Sequence, residues 1–205
     1  MKTEILPAGM PQALERAMAI LTAGGLVAFP TDTVYGLGTL AFNPHGIQAL
    51  YAVKQRDNLK AIPILLSDPA ELAQVTAGMS EIAQRLAQRF WPGPLTLVVS
   101  RHPALPAAIS PQPTIGVRMP DHPVALALLR LTGPLATTSA NLSGQDSPTT
   151  AQAVFEQLSG RIPLILDAGP TGGGAPSTVV DCTGRAPLVL RHGPITPEAL
   201  LAALE

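Results

Sequence analysis

NPHGIQALYAVKQRDNLKAIPILL (residues 43–66) holds a helix, a basic junction and an apolar strand, in that order. Asn43 before Pro44 reads as an N-cap with proline at the first helical position, opening a helix through about Val53. AIPILL (61–66) reads as a strand. Between them, KQRDNLK (54–60) carries Lys54, Arg56 and Lys60, and two of the chain's three lysines fall there. Only 13% of residues are charged, so a lysine-studded solvated face is not the background. Neighbouring cations repel, and an anion such as a polyphosphate relieves that repulsion. Junctions of this kind hold binding sites in open α/β sheets. The helix dipole alone accounts for Lys54 and Arg56 near a helix C-terminus, but less well for Lys60 beyond it.

The same alternation runs outward in both directions. Leu14, Ala17, Met18 and Leu21 recur at helical spacing, Gly24-Gly25 closes that helix, and LVAF (26–29) reads as a buried strand. Asp68, Pro69 and Glu71 have capping-box spacing, and Ser80 caps EIAQRLAQRF (81–90). PLTLVV (94–99) and TIGVRM (114–119) read as strands, and HPVALALLRL (122–131) as a helix. PLATTSA (134–140) reads as a strand running into a turn, and AQAVFEQLS (151–159) as a helix. IPLILDA (162–168), STVVDC (177–182) and PLVLR (187–191) are late strands, and Thr196-Pro197 opens a terminal helix. Interleaved strands and helices predict an α/β fold, a twisted sheet with helices packed on it. The last three strands lack intervening helices, which predicts some antiparallel pairing and hence a mixed sheet. GPTGGGAP (169–176) reads as a mobile loop.

Residues 1–205 fit a single domain. Hydrophobic residues make up 46% and aromatics 3%, so Val, Leu, Ile and Ala build the core. A net charge of −1 argues against non-specific nucleic-acid binding as the main task. Cys182 is the single cysteine, which excludes an internal disulfide and fits a reducing compartment. No apolar run reaches membrane-spanning length and the N-terminus lacks a signal-peptide h-region, so a cytoplasmic protein is expected.

Two further segments carry polar chemistry. FPTDTVYGLG (29–38) ends a strand in Thr31, Thr33 and Tyr35 around Asp32, then two glycines. It reads equally as a ligand-holding turn and as a polar turn leaving the sheet. TTSANLSG (137–144) packs Thr137, Thr138, Ser139, Asn141 and Ser143 after an apolar strand. Those groups suit a phosphate or carboxylate, and suit a hydrogen-bonded Asx or Ser/Thr turn slightly better. Arg118 and Arg191 are lone charges in apolar strands. Asp121 is a local partner open to Arg118, and solvent is open to Arg191; a ligand anion is the alternative for both. No Walker loop, zinc-ligand spacing or nucleophile elbow is present, and Cys182 in its apolar strand reads as a packing residue.

Taken together, these segments resemble the YrdC-type threonylcarbamoyl-adenylate synthases. GGLVAFPTDTVYGLG (24–38), KQRDNLK (54–60), WPGPLTLVV (91–99), TIGVRMPDHP (114–123), TTSANLSG (137–144) and STVVD (177–181) carry the likeness in order. The family hallmark, K-x-R with a distant S-x-N, stands here as Lys54-x-Arg56 and Ser139-x-Asn141. The resemblance implies a YrdC-like twisted sheet of parallel and antiparallel strands around a positively lined central cavity. It also implies conversion of L-threonine, bicarbonate and ATP to threonylcarbamoyl-AMP and pyrophosphate, the first step toward N6-threonylcarbamoyladenosine at tRNA position 37. Longer members add a second domain. This chain resembles the single-domain form, which would pass its adenylate to a separate tRNA threonylcarbamoyl-transfer complex; direct tRNA contact is left open.

By the same resemblance, Lys54 and Arg56 are catalytic, and Arg56 and Lys60 neutralise the triphosphate. Thr114, Ser139, Asn141 and Arg191 lie on the nucleotide side. Arg118 pairs with the threonine carboxylate, while Thr33, Thr138 and Ser177 contact threonine. Mg²⁺ accompanies ATP with no protein ligand named, and the loop 169–176 is expected to close over the carbamate. The family commonly has proline where Asp57 follows Arg56, and a lysine-proline pair where Lys60-Ala61 stands. Two alternatives are an RNA-binding module without catalysis and a carbamoyl-adenylate-forming enzyme of hydrogenase maturation.

Overall fold

The computed structural model describes all of residues 1–205. Its strands are β1 (Glu4–Pro7), β2 (Val27–Phe29), β3 (Gly36–Leu40), β4 (Ile64–Leu65), β5 (Thr76–Gly78), β6 (Leu95–Arg101), β7 (Thr114–Arg118), β8 (Leu135–Ser139), β9 (Leu164–Asp167), β10 (Thr178–Asp181) and β11 (Leu188–Arg191). Its helices are α1 (Ala13–Thr22), α2 (Pro44–Lys54), α3 (Leu72–Val75), α4 (Glu81–Phe90), α5 (Pro123–Thr132), α6 (Ala151–Leu158) and α7 (Pro197–Ala202). All strands join one sheet, ordered β1-β9-β2-β3-β8-β4-β7-β6-β10-β11, with β5 on β6. The sheet is mixed: β1–β9, β9–β2, β4–β7 and β6–β10 are parallel, and the other neighbours are antiparallel.

The expected helix starts form by local hydrogen bonding. Asn43 accepts from Gly46 N at 3.1 Å, Ser80 from Ala83 N at 3.2 Å, and Thr196 from Ala199 N at 3.3 Å. A cap of this kind contributes about 1 kcal/mol. The Asp68–Glu71 capping box is complete, although it opens a 3₁₀ turn before α3. Only Ile64–Leu65 of the expected strand 61–66 pairs in the sheet.

The antiparallel pairing expected among the late strands is present in one pair. β10 and β11 pair antiparallel, but β9 sits on the far side between β1 and β2. The glycine-rich segment between β9 and β10 therefore crosses the sheet.

Alternation gives the sheet two unlike faces. Ala28, Leu37, Ile64, Leu97, Val117 and Val180 enter the larger core. Phe29, Leu65, Leu135 and Leu166 face the other way, against α1 and α5. α1 lies over β2, β3 and β9. Further along that face the inward positions are Gly36, Thr137, Pro63, Arg118 and Thr96, and a cavity stands where side chains do not fill the space.

Candidate active site

The cavity encloses about 300 Å³, at the lower end of the range for small-molecule sites. Arg56, Arg118 and Arg191 line it together with Thr33, Thr138, Ser139 and Ser177. Strands and the loops at their ends, separated by long stretches of sequence, bring these seven expected residues to one place. Thr31 and Thr137, from the two hydroxyl-rich segments, join them, as do Thr96 and Ser147.

Arg118 is 6% exposed and anchored on three sides. Nε donates to Gly93 O at 3.0 Å, Nη1 to Thr33 Oγ1 at 3.1 Å, and Nη2 to Asp32 Oδ1 in an ion pair. Asp32, not the neighbouring Asp121, is thus its partner. A guanidinium has five N–H bonds; three are used, which leaves two. Burial pulls Arg118 below its ordinary value and the Asp32 charge opposes that shift. Asp32 Oδ2 is buried without a partner.

The adjoining hydroxyls have a fixed polarity. Thr31 Oγ1 donates to Val34 O at 2.7 Å, so the 3.0 Å contact between Thr31 and Thr33 takes its hydrogen from Thr33. Thr33 also accepts from Arg118. A lone pair is what it still offers the cavity.

The basic junction departs from expectation. Gln55 takes a left-handed φ of 51°, ends α2 and reverses the chain. Arg56 then falls on the cavity, its Nε and Nη2 donating to Lys60 O at 3.3 Å and Ala61 O at 3.0 Å. Lys54 stays on the inner side of the last helical turn, 1% exposed, with Nζ donating to Ser139 O and Asn141 O. Ser143 N donates back to Lys54 O at 3.0 Å, so this residue ties α2 to the turn after β8. Burial pulls the ammonium down to about 7, with a smaller push from the Arg56 charge. Lys60 is exposed and lines no part of the cavity. The three cations thus lie apart, Arg56 on the cavity, Lys54 inside as a tie and Lys60 at the surface. Asp57 accepts from Leu59 N at 2.9 Å and caps its own turn.

Arg191 ends β11 and holds Ser177: Nε and Nη2 donate to Ser177 O at 3.0 and 2.8 Å, and Nη2 to Ser177 Oγ at 3.1 Å. Burial lowers the pKa of Arg191, and the Arg56 charge lowers it further. Arg191 in turn lowers Arg118, so the three guanidiniums act on one another across one cavity.

Asn141 and Thr114 do not line the cavity. The Asn141 amide donates to Leu142 O at 2.7 Å and Gln145 O at 2.8 Å, while its Oδ1 is buried and unpartnered. Its amide holds the turn by donation to carbonyls, not by the acceptor bond of an Asx turn. Thr114 opens β7 opposite Ser100, four residues before Arg118 and so about 13 Å away along the strand.

The glycine-rich segment, expected to be mobile, is pinned. Thr171 Oγ1 donates to Thr33 O at 3.0 Å, Thr171 N to Thr149 O at 2.8 Å, and Tyr35 Oη to Gly169 O at 2.8 Å. A Cβ on Gly173 would lie 2.7 Å from Asp32 O and Thr33 Cα, so two backbones meet there and only glycine fits. Gly173→Ala is expected to destabilise the fold by about 1–3 kcal/mol through overpacking. Equilibrium urea melts measure it, and an unchanged midpoint would mean that the segment does not pack on residues 31–35.

Thr96 and Ser147 were not singled out in the sequence. Ser147 sits in a polar loop with nothing to distinguish it. Thr96 had a faint signal, being the one hydroxyl between Leu95 and Leu97 in an apolar strand.

Residues 19–193 match the family Sua5_yciO_yrdC, described as telomere recombination. Threonylcarbamoyl-AMP synthase of Bacillus subtilis (strain 168) is 44% identical over 98% of this chain, which spans 59% of that protein's length. The crystal structure of Pyrococcus abyssi Sua5 complexed with L-threonine superposes with a TM-score of 0.91 at 39% identity, covering 93% of this chain and 57% of that one. Escherichia coli YciO superposes with a TM-score of 0.84 at 26% identity, covering 94% of this chain and 96% of that one. With the family match, the sequence identities and the superposed fold in agreement, the chain belongs to the Sua5/YciO/YrdC family.

Proposed function

We propose that the chain is an L-threonylcarbamoyladenylate synthase, converting L-threonine, bicarbonate and ATP to threonylcarbamoyl-AMP and pyrophosphate. One observation carries this reading. A single cavity holds three arginines, the buried Arg118 with free N–H bonds together with Arg56 and Arg191. That arrangement suits two anions of different kinds, an amino-acid carboxylate and a polyphosphate. The relative bound to L-threonine supports it, at 39% identity over 93% of this chain.

Arg118 would hold the threonine carboxylate, with Thr138 and Ser177 beside it. The Thr33 lone pair would take an amine hydrogen. The amine nitrogen bonds to the carbon of CO₂ drawn from bicarbonate, and the proton it loses joins the hydroxide that bicarbonate releases, giving a carbamate and water. A carbamate oxygen bonds to the α-phosphorus as the bond to the β-phosphate oxygen breaks, and pyrophosphate leaves with that electron pair. Such transfer needs in-line placement and charge neutralisation rather than a protein nucleophile. Arg56 and Arg191 would supply the neutralisation, with Ser139 on the nucleotide side. Lys54 would act by setting the Ser139 turn.

Mg²⁺ would enter with the phosphates of ATP. No group of three acidic, histidine or cysteine side chains converges to hold an ion of its own, and Asp32 is engaged by Arg118. Residues 1–205 would act as one domain in the cytoplasm, where the buried, unpaired Cys182 stays reduced; no helix is long and apolar enough to cross a membrane. The product is an activated acyl-phosphate anhydride, suited to consumption by a tRNA threonylcarbamoyl-transfer complex.

The test mixes protein, ATP, Mg²⁺ and bicarbonate with and without L-threonine, and measures pyrophosphate. Release should require both threonine and bicarbonate; release independent of both refutes the reading. Release driven by carbamoyl phosphate without threonine favours the hydrogenase-maturation chemistry instead. Arg56 bonds only its own loop carbonyls, so Arg56→Ala should fold normally. It should lose about 10- to 100-fold in kcat/KM for ATP, the worth of a hydrogen bond to a charged group. Turnover within about threefold of wild type removes Arg56 from the triphosphate site.

A further inference from the structure

We propose that Thr96 is a further ligand-binding residue, donating its hydroxyl hydrogen to the carboxylate that Arg118 holds. The inference rests on the reading of this cavity as an L-threonine site.

Register places the two side chains together. Leu97 of β6 pairs with Val117 of β7 in antiparallel register, so the next position sets Thr96 opposite Arg118. Residues directly opposite point to the same face of a sheet. Leu95, Leu97 and Val117 belong to the core on the other face, which confirms the alternation. Thr96 is 3% exposed and lines the cavity. The space above it exists because residue 116 is glycine: a Cβ there would lie 3.1 Å from Thr96 Cγ2 and 3.4 Å from Pro63 Cβ.

Hydrogen counting then assigns the donor. Thr96 Oγ1 and Ser177 Oγ lie 2.8 Å apart, and the pair has two hydroxyl hydrogens, one of which joins them. Arg191 brings only a donor to Ser177 Oγ, so it occupies a lone pair and takes no hydrogen. Neither hydroxyl has another acceptor on the protein. One O–H is left for the cavity. A hydroxyl that accepts from a cation is polarised toward donating, so the chain runs from Arg191 to Ser177 to Thr96, and the free hydrogen belongs to Thr96.

The cavity end then has a definite polarity. Thr96 O–H and Arg118 N–H address an acceptor, and the Thr33 lone pair addresses a donor. An α-amino acid presents a carboxylate and an amine on one carbon, which matches that pattern.

Isothermal titration with L-threonine tests the proposal on wild type, Thr96→Val, Thr96→Ala, Thr96→Ser and Ser177→Ala. Valine keeps the shape and suits a strand, and alanine removes the hydroxyl without adding bulk. Both should weaken L-threonine about tenfold or more, while Thr96→Ser, which keeps the hydroxyl, stays within about threefold. Normal binding by Thr96→Val and Thr96→Ala overturns the proposal. So does equal loss in Thr96→Ser, since packing of the methyl group then explains the effect. Loss in Ser177→Ala with normal binding by Thr96→Val assigns the donor to Ser177 and also overturns it. If wild type itself binds no L-threonine, the functional reading falls first and this inference falls with it.

Discussion

Arg118→Met should lower the unfolding free energy by about 3–5 kcal/mol, the usual cost of removing one partner of a buried ion pair. Arg118 and Asp32 side chains are only 7% and 13% exposed. Methionine fills much the same shape, so the loss comes from what arginine leaves behind. Asp32 would keep its charge with no counter-ion, and its Oδ2 already lacks a partner. Gly93 O and Thr33 Oγ1 would each lose a donor. L-threonine binding should vanish in the same variant. Urea melts read the first effect and titration calorimetry the second. The double variant Arg118→Met/Asp32→Asn separates the causes, because it removes both charges. It should recover a large part of the stability but none of the binding. A single variant that loses less than about 1 kcal/mol would show that Asp32 is hydrated.

What the sequence made legible follows from what is local. Asn43, Ser80 and Thr196 cap helices through hydrogen bonds to residues three positions on, so pattern alone suffices there. β1 was illegible because EILP has no pattern of its own; its strand state comes from pairing with Leu164–Asp167. That β9 and β10 lie on opposite sides of the sheet was not legible, because adjacency along the chain says nothing of a crossing, and residues 169–176 make one. The hydroxyl segments left a ligand turn and a plain polar turn both open, because their position against the rest of the cavity is not a local fact. Which carboxylate meets Arg118 was not local: Asp32 is 86 residues away, while Asp121 lay close by in sequence. Thr96 was hidden for the same reason, since its meaning depends on the register of β6 with β7. How the basic junction is laid out was not legible, because a left-handed residue at Gln55 sends side chains two positions apart to different places.

Lys54→Met should be the second large effect, and its size should depend on pH. The variant leaves Ser139 O and Asn141 O without their shared donor. Each unsatisfied buried carbonyl costs about 1–3 kcal/mol. Opposing this, methionine avoids the desolvation of an ammonium. A net loss of about 2–4 kcal/mol is expected above neutral pH. The sign of the pH dependence follows from the depressed pKa. Lys54 titrates near 7 in the folded chain against 10.5 when unfolded. Between those values the unfolded state binds more protons, so wild-type stability rises with pH across that window. Below it the ammonium is retained in both states and its burial cost is fully present. A neutral amine still has two N–H bonds for the two carbonyls, so the tie survives deprotonation. Methionine does not titrate. The wild-type advantage over Lys54→Met should therefore widen by about 2–3 kcal/mol between about pH 6.5 and pH 9. Paired urea melts at those two values measure it. A constant gap would mean that Lys54 keeps an ordinary pKa and that its nitrogen reaches solvent. A widening gap would place the hallmark lysine inside the wall that shapes the site, holding the Ser139 turn against α2.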